Sequence, residues 1–96
     1  MKYKLNDFLI DGFKAKILAK KYSTPLYCYS LKKIKENIKN FQKSFKSIDP
    51  LVCFAVKANP NKFILRQMGK LGLGADVVSI GELMKALKSG IKPNKI

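Results

Sequence analysis

Lys57 ends the most apolar run of this chain, at a place where a lysine could act as a nucleophile. The run covers residues 51–56, is rich in β-branched and aromatic side chains, and is followed closely by Asn59-Pro60. Such a run is typical of a buried strand. Burial lowers the pKa of a lysine and frees its amine as a nucleophile, which is the property of a Schiff-base lysine. The alternative is that Lys57 simply leaves the strand for solvent, as charged residues usually do.

Strand-like and helical segments alternate along the chain and would hold Lys57 in place. Apolar runs predict strands over residues 26–29, 51–56 and 75–78. Apolar residues spaced by three and four positions predict a helix after each strand, and a shorter helix over about residues 13–22 precedes them all. The three apolar stripes are Ile34, Ile38, Phe41 and Phe45; Ile64, Leu65, Met68 and Leu71; and Leu83, Met84 and Leu87.

Residues suited to begin and end helices stand where this pattern needs them. Ser30 and Asn61 are placed to cap the first two main helices. Ser79 and Glu82 have the spacing of a capping box at the start of the third. Glycines that can end the helices follow the second and third stripes, namely Gly72, Gly74 and Gly90.

This order of elements predicts an α/β fold with parallel strands and right-handed crossovers. A doubly wound open sheet and a (β/α)8 barrel both fit that order. The first predicted strand is followed by Ser30 and residues 31–32 without a glycine loop, so a dinucleotide site there is not expected. In a barrel, residues at the carboxyl ends of strands carry the chemistry, and Lys57 and Ser79 would lie at such ends.

The length and the charge of the chain argue for one small domain and against a nucleic-acid-binding or membrane protein. The 96 residues allow one small domain. The net charge of +14 is almost all lysine, with Arg66 the only arginine. Because nucleic-acid sites favour arginine for bidentate contacts, the charge indicates solvated helix faces rather than a nucleic-acid surface. No apolar run is long enough to span a bilayer and the N-terminus has no signal-peptide core, so we expect a cytoplasmic protein without membrane attachment.

Metal-binding residue types are scarce. The chain has no histidine and two cysteines, Cys28 and Cys53, each inside an apolar run. We expect both cysteines to be small core residues, with neither a metal site nor a disulfide.

Three motifs together resemble a known family. They are Thr-Pro-Leu-Tyr-Cys-Tyr-Ser at 24–30, Phe-Ala-Val-Lys-Ala-Asn at 54–59, and Gly-Leu-Gly-Ala-Asp-Val-Val-Ser-Ile-Gly-Glu-Leu at 72–83. In this order and spacing they resemble the start of the diaminopimelate decarboxylases, which belong to the alanine-racemase-like, pyridoxal-phosphate-dependent barrel group. The resemblance covers nearly the whole chain and is firmest over 24–93. Ile80 is a departure, since the family usually has glycine there.

The resemblance implies a reaction and roles for particular residues. Lys57 matches the lysine that holds pyridoxal 5'-phosphate as a Schiff base, and the reaction converts meso-2,6-diaminopimelate to L-lysine and carbon dioxide. Asp76 matches a family acid near the cofactor. Asp76 could be a buried carboxylate that orients Lys57 or holds a proton, or a strand-end aspartate satisfied by loop N–H groups. Glu82 is also acidic in the family, but the capping box already accounts for it.

The resemblance also implies the extent of the fold. We expect the first three βα units of a (β/α)8 TIM-like barrel, ending before the fourth strand. Residues 1–24 would be a lead-in with a short helix, and residues 25–96 a partial, pyridoxal-phosphate-binding barrel. Along the central strand, Lys57, Ala55 and Cys53 would face the barrel interior, while the alternate residues would face the helices.

The expected partners are the remainder of the same barrel enzyme and, in the full-length family, a second copy in a homodimer. Because a barrel of this type needs roughly 250 residues, we expect the isolated chain to be inactive. A truncation, a pseudogene product and half of a split enzyme are all compatible with the sequence. Two other functions stay open: another barrel-type decarboxylase acting on ornithine, arginine or carboxynorspermidine, and a basic, non-catalytic binding remnant.

Overall fold

A three-stranded antiparallel meander precedes the first helix, where the sequence indicated only a short helix. In the computed structural model, which describes residues 1–4 and 6–96, its strands are β1 (Lys2–Lys4), β2 (Asp7–Ile10) and β3 (Phe13–Lys14). Asp11 and Gly12 join β2 to β3 with φ of 50° and 92°. A two-residue hairpin turn of this kind needs positive φ at both positions, for which Asp-Gly is a favoured pair.

Two helices complete the N-terminal unit, which covers residues 1–44. Helix α1 spans Ala15–Tyr22 and helix α2 spans Leu31–Lys43, so both predicted helices are present. Ser30 caps α2 as predicted, because its Oγ accepts a hydrogen bond from the backbone N–H of Lys33 at 3.0 Å. The Ser30 hydroxyl in turn donates to the carboxylate of Asp11.

The strand predicted over residues 26–29 is wrong. This segment joins α1 to α2 without strand pairing, and Leu26, Tyr27 and Tyr29 are exposed. A strand exists through hydrogen bonds to a partner, and apolar composition alone does not provide one.

The contacts of Asp11 make this unit sensitive to acid. The bonds from the Ser30 hydroxyl and from the Lys32 backbone N–H hold the pKa of the Asp11 carboxyl below its ordinary value of 3.8. A carboxylate with a lowered pKa contributes stability that is present above pH 3.8 and is lost as the pH falls through the lowered value. We expect an NMR titration of the Lys32 amide to show a midpoint below 3.8.

Asp11→Asn should remove this titration, whereas Asp49→Asn, in an exposed loop, should leave it unchanged. A midpoint at or above 3.8 in the unsubstituted chain would contradict the role assigned to Asp11.

The second unit, residues 45–96, has the predicted parallel α/β arrangement on a smaller scale. Strand β4 (Cys53–Ala55) pairs in parallel with β5 (Gly74–Asp76), and helix α3 (Lys62–Lys70) connects them. Helix α4 (Ile80–Lys88) follows β5. Among the described residues, two parallel strands are therefore present, each followed by a helix. The expectation of three complete βα units is not met, because the segment at 26–29 does not form the first strand.

The core of this unit lies on one face of the two-stranded sheet. Val56 and Leu65 are completely buried there, and Phe54 packs against the same cluster. This confirms that Val56 and Phe54 face the helices. Cys53, on the opposite face, is exposed, so its assignment to the core is wrong, and Cys28 is only half-buried. The remaining members of the cluster are Ala75, Ala86 and Ile91.

Helices α3 and α4 end in the same way. Gly72 and Gly90 follow them with φ of 85° and 88°, the left-handed conformation that glycine adopts without strain. The next residue in each case donates its N–H five residues back, from Leu73 to Met68 at 3.1 Å in the first helix. This is the Schellman turn expected at such ends. Gly74, also predicted as a helix stop, is instead the first residue of β5.

The chain has no helix, among the residues that the structure describes, with the length and apolar content required to cross a membrane.

Candidate functional site

Lys57 lies in a 3₁₀ helix, Val56–Ala58, which follows β4 directly. The strand ends at Ala55, and Val56, the first residue of the 3₁₀ helix, is completely buried in the core. Lys57, the next residue, is exposed. The sequence predicted a longer strand and left open whether the lysine at its end is desolvated or leaves for solvent, and in this chain Lys57 has left for solvent. What the turn provides instead is a lysine amine presented to solvent at the carboxyl edge of the sheet.

Asp76 is the last residue of β5 and lies at the same edge. In the parallel register Asp76 stands opposite Ala55, two residues before Lys57. Because the carboxyl ends of parallel strands meet at one edge, the fold brings the two predicted site residues to the same end of the sheet. Asp76 is exposed, so of the two possibilities left open for it the buried carboxylate is not seen in this chain.

Ser79 and Glu82 form the helix cap that the sequence predicted, with one difference. The Glu82 backbone N–H donates to Ser79 Oγ at 3.2 Å. The Glu82 carboxylate accepts from the backbone N–H of Val78 at 2.9 Å, one residue before the N-cap residue whose N–H a capping box usually engages. Glu82 is therefore used in starting α4. Ile80, the departure from the family pattern, is 81% exposed, so its side chain displaces nothing in the core.

Asn59 follows the turn that carries Lys57, and no structural role was assigned to it from the sequence. Its Oδ1 accepts a hydrogen bond from the backbone N–H of Asn61 at 3.1 Å, across Pro60. Asn61 then caps α3, since its own Oδ1 accepts from the N–H of Phe63 at 2.9 Å. An Asn-Pro-Asn sequence after an apolar run is a signal for such a side-chain turn.

The Lys57 amine has the chemistry required to bind an aldehyde cofactor covalently. Within residues 1–4 and 6–96, neither the hydrogen bonds nor the ion pairs involve this amine. The described residues contain no group of three His, Cys, Asp or Glu side chains that could hold a metal ion. Within the part of the chain that the structure describes, Lys57 therefore offers an amine without a hydrogen-bond or ion-pair partner at the carboxyl edge of the sheet.

A protein-family model described as "Pyridoxal-dependent decarboxylase, pyridoxal binding domain" matches residues 31–96. The match includes β4, the turn with Lys57, β5 and the capped start of α4. Lys57 and Asp76 therefore lie within the matched region.

Curated relatives resemble the chain over most or all of its length. The diaminopimelate decarboxylase of Aquifex aeolicus is 45% identical over 96 residues, which is 100% of this chain and 22% of the relative. The diaminopimelate decarboxylase of Helicobacter pylori strain J99 is 49% identical over 84 residues, or 88% of this chain and 21% of the relative. The chain thus spans about a fifth of the length of these relatives.

Solved structures agree with the fold. A crystal structure from Aquifex aeolicus matches with a TM-score of 0.92 and 45% identity, over 98% of this chain and 23% of that one. The diaminopimelate decarboxylase of M. jannaschii, solved with L-lysine, matches with a TM-score of 0.89 and 43% identity, over 94% of this chain and 22% of that one. Since the family model covers more than half of the chain, the chain belongs to the pyridoxal-dependent decarboxylases, with residues 31–96 matching their pyridoxal-binding domain.

Proposed function

We propose that this chain supplies the cofactor-binding lysine of a decarboxylase that converts meso-2,6-diaminopimelate to L-lysine and carbon dioxide. The observation that carries the proposal is the position of Lys57. Its amine is exposed at the carboxyl edge of a parallel sheet, inside the segment that matches a pyridoxal-binding domain. The relatives described above are diaminopimelate decarboxylases, which favours this substrate over ornithine, arginine or carboxynorspermidine.

Lys57 has a binding role in this proposal. Lys57 would hold pyridoxal phosphate at the sheet edge through its Nζ, which, once deprotonated, would bond to the aldehyde carbon while the aldehyde oxygen leaves as water. When bound, the cofactor supplies an electron sink for the carbanion left by loss of carbon dioxide. Because Lys57 is exposed in this chain, the desolvation that favours a neutral amine must come from structure packed over this edge.

Asp76 has an electrostatic role in the same proposal. A carboxylate at the same edge as Lys57 attracts and orients the protonated amine before the cofactor binds. This attraction would strengthen as water is excluded from the edge, since effective dielectric falls with burial. The alternative, a carboxylate that only faces solvent, predicts no effect of Asp76→Asn on covalent attachment at Lys57.

The remaining four-fifths of the enzyme is the proposed partner of this chain. One face of the β4–β5 sheet packs on helices, whereas Cys53 and Asp76 on the other side are exposed. We propose that these strands form the first part of a (β/α)8 barrel whose later strands cover the exposed part of this face and complete the site. A homodimer in the cytoplasm, without nucleic acid or membrane, belongs to the same proposal.

A complementation assay tests this function. The chain is purified and supplied with pyridoxal phosphate and meso-diaminopimelate, either alone or mixed with a separately produced remainder of the Aquifex aeolicus relative, the part beyond its match to this chain. We expect lysine and carbon dioxide to form only in the mixture, because the chain alone lacks most of a preorganised site.

Three results would contradict the proposal. Turnover by the chain alone would show that no further part is needed. A mixture that links cofactor to lysines other than Lys57 would remove the assigned role. Faster turnover of ornithine, arginine or carboxynorspermidine than of diaminopimelate would reassign the substrate.

A further inference from the structure

The turn that carries Lys57 is closed at its far end by Asn59. The backbone N–H of Asn59 donates to the carbonyl oxygen of Val56 at 3.2 Å, which completes the 3₁₀ turn around Lys57. The side-chain Oδ1 of Asn59 accepts from the N–H of Asn61 at 3.1 Å. Because Pro60 between them has no N–H to donate, this side-chain bond holds the backbone across the proline.

Lys57 therefore lies between two fixed residues, one directly before it and one two positions after it, and within the described residues its amine makes no hydrogen bond or ion pair. On one side Val56 is completely buried among the core residues. On the other side Asn59 is half-buried and bonded at both its backbone N–H and its side chain. An exposed lysine side chain does not fix its own direction by packing. The direction of its Cα–Cβ bond is instead set by the backbone that these two neighbours hold.

We propose that Asn59 is a positioning residue for Lys57, whose amine it directs toward the cofactor by fixing the turn. The proposal rests on the proposed function, since it takes Lys57 as the cofactor lysine. Without the Asn59 Oδ1, the segment from Lys57 to Asn61 loses a bond that limits its conformations. The amine then spends less time in the direction that suits covalent attachment, and misplacement of a reacting group by about 1 Å can cost roughly 100-fold in rate.

The neighbouring Asn61 provides a matched control. Its Oδ1 caps α3 by accepting from the N–H of Phe63 at 2.9 Å and of Ile64 at 3.4 Å. Asn61→Ala removes this cap but keeps the backbone N–H that bonds to Asn59. Asn61→Ala therefore affects the start of α3, whereas Asn59→Ala affects the turn around Lys57, so the effects of the two can be told apart.

The experiment compares Asn59→Ala, Asn59→Asp and Asn61→Ala in the whole chain, with two measurements. Amide hydrogen exchange of the chain without cofactor reports the turn through the Asn61 amide and the helix start through the Phe63 amide. The second measurement uses the chain mixed with the remainder of the Aquifex aeolicus relative. It gives kcat and KM, and the amount of cofactor that borohydride fixes on Lys57.

We expect Asn59→Ala to speed exchange of the Asn61 amide and to lower kcat by about 10- to 100-fold, with a smaller change in KM. Asn59→Asp keeps an acceptor oxygen in the same place, so it should restore slow exchange and most of kcat. Asn61→Ala should speed exchange of the Phe63 amide and leave kcat and the cofactor on Lys57 close to those of the unsubstituted chain.

The outcomes separate the two proposals. If the unsubstituted chain in the mixture carries no cofactor on Lys57, the proposed function fails, and the positioning role fails with it. If cofactor is on Lys57 but Asn59→Ala leaves kcat unchanged, the positioning role alone is overturned. Equal losses of kcat in Asn59→Ala and Asn61→Ala would also overturn it, because they would show a general effect of the helix start. Exchange of Leu65, in the core, checks that each variant is folded.

Discussion

Lys57→Ala is expected to abolish covalent attachment of pyridoxal phosphate to this chain and to lower turnover in the complemented enzyme by roughly a thousandfold or more. The physical reason is that alanine has no amine to bond to the aldehyde carbon, and no neighbouring lysine is presented on the same turn. Borohydride reduction followed by peptide mass spectrometry measures the attachment directly. Lysine formation from diaminopimelate measures the turnover.

Two further substitutions show whether the effect comes from losing the Lys57 amine. One keeps the positive charge at this position, and the other removes a different exposed lysine. Lys57→Arg keeps the positive charge but has no amine that can form the bond, so it should fail as completely as alanine. Lys62→Ala removes another exposed lysine, at the start of α3, and should leave attachment and turnover unchanged. Full attachment in Lys57→Arg, with the reduced cofactor on a different lysine, would show that the assignment of Lys57 is wrong.

Gly74→Ala is expected to destabilise the second unit strongly, because Gly74 has no room for a side chain. A Cβ at Gly74 would overlap the carbonyl oxygen of Lys95 and come within 2.9 Å of the Sγ of Cys53. The carbonyl belongs to the backbone and cannot rotate away. The C-terminal segment must therefore move off the sheet, which breaks the bond from Lys95 Nζ to the Gly72 carbonyl at 2.9 Å. Overpacking of this kind costs about 1–3 kcal/mol.

Amide exchange in the second unit measures this loss, with Ala75 in β5 and Ile96 at the C-terminal segment as reporters. Gly81→Ala is the matched control, because its nearest neighbour would be Ser79 Oγ at 3.9 Å and the residue lies within helix α4. Alanine is favoured over glycine in a helix by about 1 kcal/mol, so the control should be neutral or stabilising. If the Ala75 amide exchanges as slowly in Gly74→Ala as in Gly81→Ala, the clash between a Cβ at Gly74 and the Lys95 carbonyl is contradicted.

Local signals in the sequence predicted the helices well. Ser30, Asn61 and Ser79 cap the helices that their positions indicated, and Gly72 and Gly90 end theirs. These features could be predicted because a cap or a helix stop depends on side chains within about four residues, whose chemistry does not require knowledge of distant contacts.

Features that depend on distant contacts were predicted less well. The apolar run at 26–29 lacks a strand partner in the structure, and the meander formed by β1 to β3 was missed although Asp11-Gly12 is a hairpin signal. The role of Gly74 depends on Lys95, which is far away in sequence. Composition does not reveal such pairings, because they are decided by which segments meet when the chain folds.

The candidate site was predicted in its location but not in its environment. Lys57 and Asp76 do come at the carboxyl ends of adjacent parallel strands. The sequence left open whether the two side chains are buried, because an alternating pattern tells which face a residue occupies, not whether that face is covered. The covering atoms are contributed by other segments, so the exposure of Lys57 and Asp76 could be learned only from the structure.

The glycines that end α3 and α4 have a consequence for the chirality of the chain. Gly72 and Gly90 hold a left-handed backbone conformation, of the hand opposite to the ordinary helical one. For a D-amino acid that conformation is the natural one. These two corners are therefore places where a chemically synthesised chain could take a D-alanine, which has less conformational entropy to lose on folding than glycine.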